Sequence, residues 1–351
     1  MSRLRRERTE CKVVGDGAVL VTGGSGYIGG WCVARLLNDG WQVRTTIRNL
    51  ARESDVRRAL ATVAPKQDAL SFVAADLDRD EGWVEAAKGC RYVLHVASPL
   101  GLEAPRDPEV LIRPAREGAI RVIRAAIAAG AERVVMTSSV SAVNEAGVEG
   151  VADETRWTDP AAKGVSAYAQ SKTLAERAAW KLIGETGGAT TLTTILPVLV
   201  VGPVMSGDFS GSVLAISRML NGAMPGIPNL GFNFVDVRDV ADLHLRAMLS
   251  PAAVGQRFIA SSEFLWYGEV AALLRERLGD CASKVPTWRL PDIVVRGVAI
   301  VDRRLSVVVG NLSRRRDYSS AKAGKLLDWR ARPAREAILD CARSLIEHKL
   351  V

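Results

Sequence analysis

Histidine and cysteine are both scarce in this 351-residue sequence. There are three histidines, His95, His244 and His348, and five scattered cysteines, Cys11, Cys32, Cys90, Cys281 and Cys341. No Cys-x-x-Cys pair or Cys/His cluster occurs, so no metal site and no disulfide framework is expected, and a reducing cytoplasmic setting fits. No uninterrupted apolar run approaches the roughly 18 residues that a membrane-spanning helix needs. The opening MSRLRRERTECK lacks the apolar core of a secretory signal and reads as a flexible basic tail over residues 1–15. The net charge of +8 comes from 47 Lys and Arg against 39 Asp and Glu. The basic residues are spread along the chain without interleaved aromatics or a zinc-finger pattern. Nucleic acid is therefore not the expected partner, and an anionic small ligand accounts for the excess. What is abundant is ordinary core material: 48% of residues are apolar and 25% charged, enough chain for a large α/β domain and a smaller one.

Short apolar runs alternate with helical patterns. Ala18–Thr22, Gln42–Ile47, Leu70–Ala74, Tyr92–Val96, Val134–Ser138, Thr191–Val201 and Arg257–Ala260 read as strands. Helices are expected between most of them, including Glu109–Ala129 and Ala167–Ile183. This alternation predicts a doubly wound Rossmann sheet, parallel with helices on both faces, because a parallel crossover needs about a dozen residues or more. The expected organisation is a dinucleotide-binding domain over 16–202 with a returning strand near 235–262. A smaller substrate-binding region would comprise 203–234 and 263–351. Residues 203–234 read as loops over a site, and 263–335 as a small helical region.

The stretch VLVTGGSGYIGGW places Gly23, Gly26 and Gly29 after a strand and at the start of a helix. Gly23 permits a tight turn, Gly26 lets backbone N–H groups approach a pyrophosphate, and Gly29 lets the helix pack close to the sheet. The helix N-terminus would then face the phosphates. At the end of the second strand an NAD-preferring site usually carries an acidic residue. Here the chain reads VRTTIRNLAR, with Arg44, Arg48 and Arg52. A guanidinium suits a 2′-phosphate, so NADP(H) is the expected cofactor, with Arg48 the leading contact.

Further on, SAYAQSKTLAER places Tyr168 and Lys172 four apart on one helical face. VVMTSSVSAVN ends a buried strand in Thr137, Ser138 and Ser139, at the sheet end where ligands bind. Hydride delivery to a carbonyl carbon builds charge on its oxygen, which needs a hydrogen-bond donor and then a proton. A tyrosine of ordinary pKa about 10 suits that task poorly at neutral pH unless a neighbouring ammonium favours its ionised form. Lys172 can serve there and also hold the nicotinamide ribose. A serine of the 138–139 pair can hydrogen-bond the substrate oxygen.

The motif T-G-G-x-G-x-[IL]-G after a strand resembles the extended short-chain dehydrogenase/reductase superfamily. VTGGSGYIGGWCVARLLNDGWQVRTTIRN, AADLDRDEGWVEAAKGCRYVLHVASP, VVMTSSVSAVN, YAQSKTLAERAAWKL and ILPVLVVGP resemble dihydroflavonol 4-reductases, cinnamoyl-CoA reductases and microbial aldehyde and ketone reductases, over roughly residues 16 to 262. The resemblance implies Ser139, the second of the pair, as the catalytic serine with Tyr168 and Lys172. It implies cofactor contacts from Thr22, Gly23, Gly26, Tyr27, Ile28, Gly29 and Arg48. Asp76 and Leu77 would lie at the adenine, Val96, Ala97 and Ser98 along the cofactor, and Pro197, Val198 and Leu199 beside the nicotinamide. Asn144 and Asn233 would contact substrate, together with Ser139 and Tyr168. Asn233 stands where dihydroflavonol reductases have glutamine, and only Tyr168 and Lys172 agree with the cinnamoyl-CoA reductase run around the catalytic tyrosine.

The expected function is reversible NADPH-dependent reduction of an aldehyde or ketone to an alcohol, by a monomer or homodimer. The alternatives are a nucleotide-sugar epimerase or dehydratase, which typically has an acidic residue after the second strand, and a hydroxysteroid dehydrogenase. A non-catalytic NADP redox sensor, whose kind typically lacks the Tyr–Lys pair, is a further alternative.

Overall fold

The computed structural model describes residues 17–99, 105, 107–144, 150–209, 211–301 and 309–351. The basic tail expected over 1–15 lies outside them.

Seven strands form the central sheet: β1 (Ala18–Thr22), β2 (Gln42–Ile47), β3 (Leu70–Ala74), β4 (Cys90–His95), β5 (Arg133–Thr137), β6 (Thr191–Pro197) and β10 (Arg257–Ala260). Their order is β10-β6-β5-β4-β1-β2-β3, and every pairing is parallel. β5 and β10 are buried at every residue. Strands covered on both faces need apolar side chains in both directions, which is why they read as continuous runs. The strand order reverses between β1 and β4, and the crevice at their C-terminal ends is where an open α/β sheet binds ligands.

Helices cover both faces. α1 (Tyr27–Asn38) carries Val33, Leu36 and Leu37 into one core together with Val240, Leu243 and Met248 of α7 (Val237–Leu249). On the other face α3 (Trp83–Ala87), α4 (Glu109–Ala128) and α5 (Ala167–Thr186) close a second core around Leu20, Val93, Ile123 and Val134. α2 (Glu53–Ala61) follows β2 and packs Val56 and Leu60 inward.

The run Thr191–Val201 is two strands rather than one. The Val198 amide still bonds to the Ala260 carbonyl at 3.1 Å, but β10 ends there. β7 (Leu199–Val201) turns instead to a second sheet of order β11-β9-β7, with β9 (Gly231–Asp236) and β11 (Phe264–Trp266). An apolar run does not show where its partner strand stops.

Residues 203–234, expected as loops, hold α6 (Gly211–Leu220), the two-residue strand β8 (Ile227–Pro228) and the start of β9. The span expected to be helical contains β11, which pairs antiparallel with β9. Gly231 belongs inside β9 for a steric reason: a Cβ there would meet Phe264 Cζ at 2.3 Å and Trp266 Cε3 at 2.7 Å. The helix Ala334–Glu347 then returns to the main core through Ile338, Cys341 and Leu345.

Candidate functional site

The glycine loop joins β1 to α1. Gly23 has a φ of +72°, and a Cβ there would stand 3.1 Å from the Ala97 backbone. At Gly29 a Cβ would lie 2.2 Å from the Gly23 carbonyl oxygen, so the first helical turn rests directly on the loop. Gly24, which the motif reading passed over, is as demanding: a Cβ would overlap Thr45 Oγ1 at 2.1 Å. The Gly-Gly doublet in the sequence was its signal.

Thr22 shapes the neighbouring loop. Its hydroxyl accepts from the amides of Val96 and Ala97, both at 3.0 Å, so its own proton is directed to His95 Nδ1 at 2.9 Å. Tyr27 donates its buried hydroxyl to the Gly202 carbonyl at 2.8 Å, and Trp31 Nε1 donates to the Pro203 carbonyl at 3.0 Å. The side chains of Thr22 and Tyr27 are thus committed within the protein. Ile28, Val96, Ala97 and Ser98 are half-buried around the same strand ends. A groove of about 250 Å³ runs from Gly24, Ser25 and Gly26 to Arg52, Met205 and Asp208.

The three arginines after β1 have three different environments. Arg44 turns one guanidinium nitrogen to the carbonyls of Glu85, Ala86 and Lys88 at 3.2, 3.0 and 2.6 Å, closing the C-terminus of α3. Arg52 pairs with Asp208 across the groove. Arg48 is exposed and makes no ion pair with any described residue. It is the one of the three left to meet an anion.

Asp76 is half-buried at the end of β3; its carboxylate accepts from the Asp78 amide at 3.1 Å. Leu77 packs against Gly118 of α4. Pro197 is buried at the end of β6, and Leu199 is half-buried at the start of β7.

Ser139 lies two residues past β5 in extended backbone, and its Oγ accepts from the Ser141 amide at 3.1 Å. A hydroxyl that accepts there keeps its proton free to donate. Ser138 is used elsewhere: it donates to Glu176 Oε2 at 2.6 Å, in a buried network with Arg257 and Thr194. Thr137 donates to His244 Nε2 at 2.7 Å, since His244 Nδ1 must donate to the Val240 carbonyl at 2.8 Å. Of the three adjacent hydroxyls, only Ser139 is not committed as a donor. The 3-10 turn Val140–Ala142 that follows it packs on α5, which carries Tyr168 and Lys172.

Lys172 is 93% buried (7% exposed). Its ammonium stands 5.8 Å from the Tyr168 ring centroid, and no described residue offers it a hydrogen-bond acceptor. Burial of the His95 imidazole, and to a smaller extent the nearby Lys172 charge, pushes it down to about 3. A buried ammonium without acceptors needs a ligand to supply them. The hydroxyls of a dinucleotide ribose are suited to that, and the glycine cradle is shaped for the accompanying phosphates.

Asn144 follows the Ser139 turn, and its Oδ1 accepts from the Tyr318 hydroxyl at 2.6 Å. Asn233 is buried, and its Nδ2 donates to the Arg316 carbonyl at 2.6 Å. One of the two N–H groups of the Asn233 amide is thus taken by the protein. Arg315, in the Arg314–Arg316 run, pairs with Asp317 at 2.9 Å and lies over the Phe264 ring. Among the described residues no cluster of three or more potential metal ligands occurs, and no helix is long and apolar enough to cross a membrane.

The profile of the NAD dependent epimerase/dehydratase family matches residues 19–260. A cinnamoyl-CoA reductase of Medicago truncatula is 36% identical over 266 residues, covering 74% of this chain and 80% of that protein. A dihydroflavonol 4-reductase of Zea mays is 37% identical over 270 residues, with 74% of each covered. Among solved structures, yeast methylglyoxal/isovaleraldehyde reductase Gre2 complexed with NADPH aligns at a TM-score of 0.77 and 25% identity, over 95% of this chain and 99% of that one.

Proposed function

The chain belongs to the NAD dependent epimerase/dehydratase family, and we propose that it is an NADPH-dependent carbonyl reductase, converting an aldehyde or ketone to an alcohol. Its similarity to dihydroflavonol and cinnamoyl-CoA reductases and to an NADPH-bound aldehyde reductase supports an oxidoreductase of this kind. The observation that carries the reading is the pairing of Tyr168 with a buried Lys172 ammonium that no described residue offers an acceptor, next to a strand end where, of three adjacent hydroxyls, only that of Ser139 donates to no described residue.

The bound cofactor would supply a hydride to the carbonyl carbon. Gly23, Gly26 and Gly29 would hold its phosphates against the N-terminus of α1, and Arg48 would face its 2′-phosphate. Lys172 would hold the ribose, with its ammonium beside the Tyr168 ring. Ser139 would donate to the substrate oxygen, and Tyr168 would deliver the proton that the oxygen needs as charge builds on it. The same groups serve the reverse reaction with roles exchanged.

The test is NADPH oxidation against a panel of aromatic and aliphatic aldehydes, β-ketoesters, a dihydroflavonol, an acyl-CoA and a ketosteroid. Turnover of one class is expected to fall at least about 100-fold in Tyr168→Phe, with the NADPH dissociation constant unchanged. Tight cofactor binding without turnover of any member would remove this reading and leave an epimerase, a dehydratase or a sensor.

A further inference from the structure

A second cavity, of about 510 Å³, shares no lining residue with the groove at the glycine loop. It lies where α1 and α7 meet the segment that precedes the last helix. α1 contributes Arg35, α7 contributes Arg238 and Arg246, and the segment contributes Arg330 and Arg332. Two carboxylates, Asp239 and Asp242, line it with them. Five guanidinium groups around one cavity serve neither the cofactor nor the Ser139, Tyr168 and Lys172 site.

The hydrogen bonds there are unevenly spent. Asp242 is used at both oxygens: Oδ1 receives Arg35 Nη1 at 2.9 Å and Oδ2 receives Arg246 Nε at 2.6 Å. Asp239 is used at both as well. Its Oδ2 receives the Arg332 amide at 2.6 Å, and its Oδ1 the Arg332 guanidinium. Three further aspartates hold arginines from outside the lining. Asp39 takes Arg35 Nε at 2.9 Å, and Asp236 and Asp340 take Arg238 Nη2, each at 2.6 Å. Arg246 is fixed again through Nη1, which donates to the carbonyls of Leu327 and Asp328 at 2.9 and 3.0 Å. A guanidinium has five N–H donors, so these bonds orient the arginines without exhausting them. Arg35 and Arg246 each keep Nη2 without an acceptor among the described residues. Arg330 is exposed and bonds to no described residue at all.

We propose that this cavity is a second ligand site, for a small anion that carries at least two oxyanion groups. Both lining carboxylates are used up, so what the side chains still offer is N–H donors on held guanidinium groups, which match carboxylate and phosphate oxygens. The five arginines are balanced by Asp39, Asp236, Asp239, Asp242 and Asp340 taken together. Attraction from a distance is therefore weak, and the site rewards a ligand that takes several direct bonds at once. Chloride cannot do that, whereas a diphosphate or a polycarboxylate can. Arg330 supplies the charge that no acid offsets. The proposal does not rest on the carbonyl-reductase reading.

The experiment titrates the full chain, saturated with NADPH so that the glycine loop and Arg48 are occupied. Pyrophosphate, citrate and sodium chloride are added at matched ionic strength, and the thermal midpoint is followed. A ligand that binds only the folded chain raises it. Pyrophosphate or citrate is expected to give a saturable rise that chloride does not give, and the stronger of the two says whether the site prefers phosphate or carboxylate oxygens. Arg330→Ala and Arg35→Gln are each expected to raise the half-saturating concentration at least about tenfold, by removing a charge-assisted donor. Arg330 makes no bond within the protein, so its variant should keep the native midpoint and the native NADPH affinity. A rise that chloride reproduces, half-saturation unmoved in both variants, or loss of NADPH affinity as the anion is added would each overturn the proposal. The last would place the anion in the cofactor groove. None of these outcomes bears on carbonyl reduction, which the substrate panel tests separately.

Discussion

Adjacent hydroxyls at the end of β5 have opposite duties, and this can be measured. Ser138 donates to Glu176 inside the protein, whereas Ser139 accepts from the Ser141 amide and donates to no described residue. Ser138→Ala is expected to cost about 1–3 kcal/mol of stability, because it leaves a buried carboxylate oxygen with only the longer bond from Arg257, with kcat little changed. Ser139→Ala is expected to leave urea unfolding unaltered and to lower kcat by about two orders of magnitude. A reversed pattern would move the catalytic assignment to Ser138. The two buried histidines give a pH signature. Burial pushes His95 down to about 3 and His244 to about 4, whereas in the unfolded chain both titrate near 6.5. Below that value the unfolded chain binds protons that the native protein refuses. Stability from this source is therefore complete above about pH 6.5 and declines toward pH 4, by up to about 1.4 kcal/mol per pH unit for each histidine. Thermal midpoints across pH 4–8 should show the decline, and His244→Gln should flatten it by up to half.

Between elements, α5 and β10 are joined by the buried pair of Glu176 and Arg257, at 2.8 Å. Arg257 also donates to the carbonyls of Glu154 and Arg156, each at 2.8 Å, and stacks on Trp157 at 3.6 Å from the ring centroid. It thereby ties the helix bearing Tyr168 and Lys172 to the sheet edge. Arg257→Met is expected to cost about 3–5 kcal/mol by leaving Glu176 buried without its cation, and adding Glu176→Gln should restore part of the loss. A double variant less stable than the single one would contradict this account. None of that network was legible beforehand, because Glu176 and Arg257 lie 81 positions apart and nothing in the stretch around Tyr168 and Lys172 names a distant partner for Glu176. What was legible follows from locality. β1, β2, β3 and β10 match their expected spans to the residue, because each is a short run bounded by turn or helix signals in its own neighbourhood. The break after Pro197 and the strand β9 within a glycine- and proline-rich stretch were not, since both depend on which distant strand is available to pair. The positions of Tyr168 and Lys172 were legible through their four-residue spacing. The commitment of Asn233 to Arg316 was not, because its partner is a backbone carbonyl 83 residues away.

At the scale of the molecule, the cofactor groove is built by parts of the chain that are far apart in sequence. The glycine loop and α1 are bound to residues 202–203 through Tyr27 and Trp31. The Val204 amide donates to Ser344 Oγ of the C-terminal helix at 2.9 Å, and Arg52 reaches Asp208 across the groove. A ligand seated there touches both sides of one connected structure, so its binding energy should appear as stability of the whole chain. At a free concentration 100 times its dissociation constant a ligand adds about 2.7 kcal/mol, or roughly 4 °C in thermal midpoint for a chain of this size. NADPH is expected to produce such a shift in a single transition, and NADH at the same concentration a smaller one. The difference should come from Arg48, because Arg44 is closed on α3 and Arg52 is paired with Asp208. Arg48→Ala is therefore expected to bring the NADPH shift down to that of NADH and to leave the NADH shift where it was. Equal shifts for the two cofactors in the native protein would remove Arg48 from the site. An NADH shift that also collapses in the variant would mean that Arg48 supports the groove itself rather than reading the 2′-phosphate.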